Sequence, residues 1–357
     1  MRALSVVLFL FLFFLPCSHA QQDSPAPNAA SPAANLPRQK PIFLDVLVTD
    51  SAGKPVSDLE PIDFSILDEN QPRKILGFRR TDGAAGSKSD PPVEVIIVLD
   101  ALNVPYQVAT RFRLEIEKFL RENDGRLAQP VSIYMLTSVG LKVQPAPSKD
   151  GIALATMLDQ STGIVRARDL SGGVYSLEEQ FKTSYQTISG IAENLSRKPG
   201  RKVIIWLGPG WPLLAGRFFI QTNDSRATYF RQIAALENKL RDARVTLYSL
   251  FATAGLTNTL YQGYLKPVRE ARKMEIGNMA LQVLALHTGG RVMEPSNDVK
   301  AQIDACLAEI GEYYSLAFMP PLAAKPDEYH EVKVKVGKPA MNVRTITGYY
   351  NEPPANE

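Results

Sequence analysis

The sequence predicts an α/β fold in which a doubly wound, mostly parallel sheet is joined by a small β module formed by flanking N- and C-terminal segments. Between residues 92 and 320, short apolar segments alternate with segments of helical periodicity, which indicates strands connected through helices to parallel neighbours. On either side, residues 41–80 and 327–351 show period-two alternation and turn residues, which are typical of antiparallel strands.

The N-terminus predicts export. Met1-Arg2 is a short positive start, Ala3 to Leu15 is almost entirely apolar, and Ser18-His19-Ala20 supplies small residues for cleavage. We expect residues 1–20 to be a signal peptide and the protein to be periplasmic or extracellular. The alternative is a membrane anchor, but the apolar run falls short of the roughly 20 residues that span a bilayer, and no other stretch reaches that length.

The segment after the predicted cleavage point, residues 21–40, is rich in Pro, Ala, Ser and Asn and lacks periodicity, which predicts a disordered linker. The sequence has two cysteines, and removal of the signal peptide would remove Cys17 and leave Cys306 alone. No intrachain disulfide is then possible. Cys306 lies in a helical pattern and is expected to be a small core residue.

The flanking β segments are short. Alternation predicts N-terminal strands at residues 43–50, 64–68 and 74–78, followed by a linker over residues 81–92. At the C-terminal end, Val332, Val334 and Val336 alternate with charged residues, which predicts a half-exposed antiparallel strand, and residues 341–350 continue the β pattern. We hypothesise that residues 41–78 and 329–350 share a sheet.

The elements of the α/β region follow from their periodicity. Strands are predicted at residues 93–99, 131–137, 141–144, 202–207, 245–251, 290–293 and 313–318, and the segment 141–144 follows a tight turn that suggests an antiparallel edge strand. Helices are predicted at residues 105–121, 152–158, after the loop 161–173, around residues 229–240, and at 274–287 and 299–309.

Composition and motifs exclude several functions. The formal charge of +3 is small for 357 residues and the charges are interspersed, so nucleic acid is not an expected partner. No zinc-hydrolase, serine-hydrolase or dinucleotide motif occurs, and the glycine-rich stretch at residues 208–212 lacks the lysine of a phosphate-binding loop. We therefore expect no catalytic residues and no cofactor.

The order of these segments resembles a von Willebrand factor type A domain, which is Rossmann-like. More narrowly, residues 41–350 are similar to the type A-related proteins common in acidobacteria. Residues 45–56 with Leu59 and Asp63-Phe64 resemble that family's N-terminal module, and the strand ending at Asp100 and residues 200–207 resemble type A strands. Its C-terminal module is resembled by Tyr313-Tyr314-Ser315-Leu316, by the strand 332–336 and by Gly348-Tyr349-Tyr350.

This resemblance implies a metal-ion-dependent adhesion site at the carboxyl ends of the strands, begun by Asp-x-Ser-x-Ser. Asp100 matches the aspartate, but Leu102 and Val104 stand at the serine positions. Val174 and Pro209 stand where a threonine and a second aspartate are expected. A hard divalent cation prefers about six oxygen ligands, so we expect this degenerate site to bind no metal.

Candidate ligand-binding residues lie in the loops expected at the same edge, 101–105, 161–175 and 208–217. We select Asp100, Asn103, Arg166, Arg168 and Trp211. The two arginines would suit an acidic partner, although such a group is more often a solvated loop. Trp211 is either an exposed binding anchor or a residue buried in the rim of the sheet.

These observations predict an exported, non-catalytic binding protein that uses a type A-like domain for metal-independent recognition of a protein or polysaccharide. Two alternatives remain open at this point. One is a structural or assembly subunit of the cell envelope, with the β segments mediating assembly. The other is an enzyme with an unrecognised site.

Overall fold

A computed structural model describes residues 40–82, 91–160, 173–211, 222–251 and 260–353, although not the side chains of residues 82, 173–176 and 260. The strands are β1 (Ile42–Thr49), β2 (Phe64–Asp68), β3 (Gln71–Arg73), β4 (Gly77–Asp82), β5 (Glu94–Asp100), β6 (Arg126–Thr137), β7 (Gly140–Val143), β8 (Ser148–Asp150), β9 (Lys202–Leu207), β10 (Val245–Leu250), β11 (Glu312–Phe318), β12 (Glu328–Val336), β13 (Asn342–Arg344) and β14 (Gly348–Asn351). The α-helices are α1 (Tyr106–Arg121), α2 (Gly151–Gln160), α3 (Gly173–Ser196), α4 (Asn223–Asp242), α5 (Leu281–His287) and α6 (Val299–Ala308).

The central sheet is mostly parallel. Its strands are arranged in the order β10-β9-β5-β6-β7, and β8 also pairs with β6. The pairs β10·β9, β9·β5 and β5·β6 are parallel, whereas β7 runs antiparallel to β6 at the edge, as its preceding turn predicted. From β5, the chain extends the sheet on one side with β6 and later on the other side with β9 and β10.

The strands of the central sheet are buried on both faces. Alternate residues of β5 and β9 belong to two separate hydrophobic clusters, because successive side chains of a strand point to opposite sides. Ile96, Val98, Ile204 and Trp206 pack with residues of α3, α4 and α5. Val95, Ile97, Val203 and Ile205 pack with residues of α1, α2 and α6. Helices therefore cover both faces, which explains the continuous apolar runs in the sequence.

The flanking segments form a β sandwich together with β11. One antiparallel sheet has the order β13-β1-β11-β4 and the other β14-β12-β2-β3. The hypothesis of a shared sheet is confirmed twice, because β1 pairs with β13 and β2 pairs with β12. Both sheets contribute to one core, which includes Leu44, Ile66, Tyr314, Val332 and Tyr349. The predicted alternation of β12 also holds, with Val332 and Val334 buried and Lys333 and Lys335 exposed.

The sequence led us to place strand 313–318 among the strands of the α/β region, and this placement is wrong. β11 pairs with β1 and β4 in the sandwich instead. The strand follows a helix and is buried on both faces, which is the pattern of a central parallel strand. Its second face is covered because Tyr313 packs into the cluster that includes α1 and α6. Strand pairing, which local periodicity does not encode, decided its sheet.

Three smaller predictions also need correction. The expected helix 274–287 is divided, with a short 3-10 helix at Ile276–Met279, an extended Ala280, and then α5. The third N-terminal strand begins at Gly77 rather than at residue 74, after the short strand β3. Around residues 290–293 there is only an isolated bridge between Ser249 and Val292. The predicted signal peptide and nearly all of the linker after it lie outside the described residues.

Within the described ranges, no helix combines the length and the apolar character needed to cross a bilayer.

Candidate functional site

The candidate site lies at the carboxyl edge of the central sheet, where β5 and β9 end side by side. Asp100 is the last residue of β5, and Gly208 directly follows β9. The chain adds β6 on one side of β5 and later adds β9 and β10 on the other side, so the strand order reverses between β5 and β9. In open α/β sheets, such a point forms the crevice in which ligands bind.

Asp100 is fully buried, and its carboxylate is surrounded by donors of the protein itself. Oδ1 accepts hydrogen bonds from the backbone N–H of Leu102 at 3.2 Å and of Asn103 at 3.0 Å, and from Asn103 Nδ2 at 3.1 Å. Oδ2 accepts from Asn103 Nδ2 at 2.9 Å and from Trp206 Nε1 at 3.0 Å. Both oxygens are therefore engaged within the fold, and neither faces an open coordination site.

Burial has the largest influence on the acidity of this carboxyl group. It raises the pKa of Asp100 from 3.8 to about 6, although the hydrogen bonds from Asn103 and Trp206 act in the opposite direction. The donors compensate only part of the cost of removing a charge from water.

The residues at this edge do not fit a divalent cation. Leu102 is buried and has no side-chain oxygen, and Val104 packs against the core. The Pro209 carbonyl accepts a hydrogen bond from Gln282 Nε2 at 2.9 Å. Across the described ranges, no group of three or more His, Cys, Asp or Glu side chains is placed to hold a metal ion.

Asn103 connects Asp100 to helix α3. Its Nδ2 also lies 3.0 Å from the hydroxyl oxygen of Ser184, which is fully buried. Because the amide nitrogen faces the carboxylate, Asn103 acts as a donor. Its side-chain oxygen is buried and has no hydrogen-bond partner among the described residues.

Glycine is required next to the carboxylate. Gly208 has a φ of +147°, and a Cβ atom at this position would lie only 2.7 Å from the Cβ of Asp100. The glycine-rich sequence after β9 thus allows the backbone to approach Asp100 closely, as glycine does where no side chain fits.

Trp211 is not an exposed anchor. It is 1 % exposed, its ring contacts that of Trp206 edge-on at 5.9 Å, and its indole N–H donates to the Met279 carbonyl. Of the two alternatives for this residue, the structure selects burial, and its assignment as a ligand-binding residue is corrected accordingly. Arg166 and Arg168 lie outside the described residues, as does most of the loop 161–175 and the second half of the loop 208–217.

Two residues at this edge were missed from the sequence. Trp206 was recognised only as part of a buried strand, and Ser184 only as part of a helical segment. A tryptophan among aliphatic strand residues is itself a signal, because a buried indole N–H usually requires an acceptor.

Two further titratable clusters lie away from this edge. His287 Nδ1 lies 2.7 Å from a carboxylate oxygen of Glu237, and its Nε2 lies 3.0 Å from the Leu265 carbonyl. In the sandwich, His330 Nδ1 lies 2.9 Å from Oδ1 of the buried Asp68. Neither histidine belongs to a cluster with metal-binding geometry in the described part of the chain.

Comparisons with known proteins yield distant likenesses only. No protein-family model matches the chain, and no curated protein matches it in sequence. Among solved structures, the human COPII-coat protein Sec24c is similar at 9 % identity and a TM-score of 0.36, covering 78 % of this chain and 46 % of its own. The pilus adhesin SpaC from Lactobacillus rhamnosus GG is similar at 11 % identity and a TM-score of 0.34, covering 84 % of this chain and 50 % of its own. The chain thus spans about half the length of these two proteins.

Proposed function

We propose that this protein is an exported, non-catalytic binding protein that recognises a protein or polysaccharide without a metal ion. Its α/β region would be a doubly wound, type A-related domain, and its partner would contact the loops at the carboxyl edge of the central sheet. The observation that carries the proposal is the saturation of the Asp100 carboxylate by Leu102, Asn103 and Trp206.

The physical reason is that the lone pairs of the carboxylate oxygens already accept hydrogen bonds. A carboxylate that binds a divalent cation must direct oxygen lone pairs to the metal, and additional oxygens must complete the coordination. At Asp100 these lone pairs receive N–H groups instead. The donors connect β5, β9 and the loop after β5, so they would hold this loop as a rigid platform for surface complementarity.

Calorimetric titration of the purified protein with Mg²⁺ and Mn²⁺ tests the metal independence directly. We expect no heat of binding for either ion. Micromolar binding that disappears in an Asp100→Ala variant would contradict the proposal, because it would require the carboxylate to exchange its donors for a metal.

Binding itself is tested with an array of envelope polysaccharides and with crosslinking to envelope proteins, each in the presence and absence of a chelator. We expect a specific partner that is retained in the chelator. An Arg166→Ala/Arg168→Ala variant should weaken this interaction, whereas Lys149→Ala, an exposed control on β8, should not.

The assembly alternative makes a different prediction. An envelope subunit would form a stable self-assembled complex during size-exclusion chromatography, and the binding protein would not need one. The chromatography therefore separates the two classes before any partner is known.

A further inference from the structure

A basic cavity lies at the edge of the central sheet opposite to Asp100. It has a volume of about 540 Å³ and opens between the start of β1, the end of α3, the end of α4 and the start of β9. This volume is within the range of small-molecule sites. Five cationic side chains line the cavity, together with the carboxylate of Asp242, and these are Lys40, Lys198, Lys202, Arg241 and Arg244.

Three of the cations are paired with carboxylates. Arg241 contacts Asp242 at 2.9 Å and Arg244 contacts Asp45 at 2.5 Å. Lys198 contacts Glu94 at 3.0 Å. In the described part of the chain, no carboxylate lies within ion-pair distance of Lys202 or Lys40. The walls of the cavity therefore carry an excess of positive charge.

Lys202 is the unusual member of this set. It is only 2 % exposed, and its ammonium group donates to the backbone carbonyl of Lys198. An ammonium group has three N–H donors, and this carbonyl accounts for one of them. Fully buried lysines are rare without a pairing group because removing the charge from water is costly.

The charge state of Lys202 reflects this cost. Burial, followed by the nearby charge of Arg244, lowers the pKa of Lys202 to about 8. Glu94 and Asp45 act in the opposite direction, and Lys198 adds to the lowering. An oxyanion in the cavity would supply the missing acceptor and favour the protonated amine.

We propose that this cavity is a binding site for an oxyanion, such as the phosphate, sulfate or carboxylate group of a small ligand, and that Lys202 is its buried charge-assisted donor. Lys40 supplies a second cation at the opening, and the apolar side chains of Pro41 and Phe43 line the cavity beside it. The site is independent of the recognition surface proposed at the carboxyl edge and goes beyond that function.

The test is calorimetric titration of the purified protein with inorganic sulfate, inorganic phosphate and glucuronate. We expect binding with a dissociation constant below about 1 mM for at least one probe. Sulfate or phosphate binding alone would assign a phosphorylated or sulfated ligand, and glucuronate binding alone would assign a carboxylated sugar. Absence of binding by all three probes at about 10 mM would overturn the proposal.

Variants locate the site. Lys202→Met should weaken binding about tenfold or more, because it removes a charge-assisted hydrogen bond. Lys40→Ala should weaken it several-fold, and Lys142→Met, which removes a charge on the edge strand β7, should leave it unchanged. If Lys202→Met does not fold, Lys40→Ala alone decides the outcome. Variants that bind as tightly as the wild type would overturn the proposal.

A pH series with sulfate, which keeps its charge, isolates the role of the buried amine. The charged groups facing Lys202 are Glu94 from β5, Asp45 from β1, Lys198 after α3 and Arg244 before β10. Affinity should fall as pH rises through about 8, because deprotonated Lys202 loses its charge. This step should be absent in Lys202→Met. The same step in both proteins, or in neither, would contradict the assignment of Lys202.

Discussion

The indole N–H of Trp206 donates a hydrogen bond of 3.0 Å to Oδ2 of Asp100, which joins two neighbouring parallel strands at their carboxyl ends. Both side chains are fully buried. The indole N–H of Trp206 is therefore bound to a carboxylate oxygen that a metal ion at this position would need as a ligand.

Loss of this donor should destabilise the protein. We expect Trp206→Phe to lower the free energy of unfolding by about 1.5–3 kcal/mol, because a buried carboxylate loses a charge-assisted hydrogen bond. Trp211→Phe is the matched control, since the Trp211 indole donates to a neutral carbonyl and should cost about 0.5–1.5 kcal/mol. Urea unfolding at pH 7 measures both values. Equal losses would contradict the special role of Trp206.

The raised pKa of Asp100 predicts a pH dependence of stability. Because the pKa is 3.8 ordinarily and about 6 in the folded protein, the folded state holds this proton more tightly than the unfolded chain. Ionising Asp100 therefore costs roughly 3 kcal/mol more in the folded protein than in the unfolded chain, at about 1.4 kcal/mol per pKa unit.

The variant Asp100→Asn isolates this contribution, because asparagine does not titrate. The unfolding free energy of the wild type, relative to that of Asp100→Asn, should fall as pH rises from about 4 to about 6 and then remain level. Urea titrations across this range measure the difference. A constant difference would show that Asp100 has the same pKa in both states.

The buried carboxylate of Asp68 predicts the opposite dependence. Burial raises its pKa, but the hydrogen bonds from His330 and Tyr349, together with the nearby charges of His330 and Arg73, outweigh burial and hold the pKa of Asp68 below 3.8. Its stabilising contribution is thus present above pH 3.8 and is lost as pH falls through the lower folded pKa. The Tyr349 hydroxyl donates to Oδ2 at 3.0 Å.

Removing that hydroxyl should weaken the sandwich. We expect Tyr349→Phe to cost about 1.5–3 kcal/mol at pH 7, and the cost should shrink once Asp68 is protonated. Tyr350→Phe is the control, because the Tyr350 hydroxyl donates to the neutral Val268 carbonyl at 2.9 Å. Its cost should not change with pH. The two unfolding free energies, measured from pH 7 down to the acid limit of the folded state, would contradict this account if they changed in parallel.

The carboxylate of Glu237 should control the pKa of His287. Burial lowers the pKa of His287, but the carboxylate of Glu237 outweighs burial, so the net pKa lies above 6.5. The stability that protonated His287 contributes is full below pH 6.5 and is lost as pH rises through the folded pKa. In Glu237→Gln, only the hydrogen bond to the Leu265 carbonyl still opposes burial, and the pKa of His287 should fall.

Nuclear magnetic resonance titration of the His287 ring protons in the wild type and in Glu237→Gln measures this shift. An unchanged His287 titration in Glu237→Gln would rule out Glu237 as the cause of the raised pKa.

The local elements were largely predictable. The strand Lys202–Leu207 was predicted with the bounds that the structure shows, and α1 and α6 were predicted to within one residue at each end. Apolar runs and helical periodicity are properties of neighbouring residues, and these determine whether a segment can bury one face or two. The position of Asp100 at a strand end was predictable for the same reason.

Long-range contacts were not predictable in this way. The strand at Tyr313 had the local pattern of a central strand, but its backbone pairs with the sandwich. Trp211 had two open alternatives that only the packing around Trp206 could separate. In both cases the deciding partner is distant in sequence, and periodicity contains no information about which distant segment will supply it.

The sequence by itself determined the alternation of strands and helices, the β character of both flanks, and the lack of side-chain oxygens at residues 102, 104 and 209. Only the tertiary structure decided that the flanks form one sandwich, that Trp206 satisfies Asp100 from 106 residues away, and that Lys202 lies in a basic cavity. The physical reason is that side-chain types follow from the chain locally, whereas burial, hydrogen-bond partners and pKa values depend on which distant segments meet in the folded state.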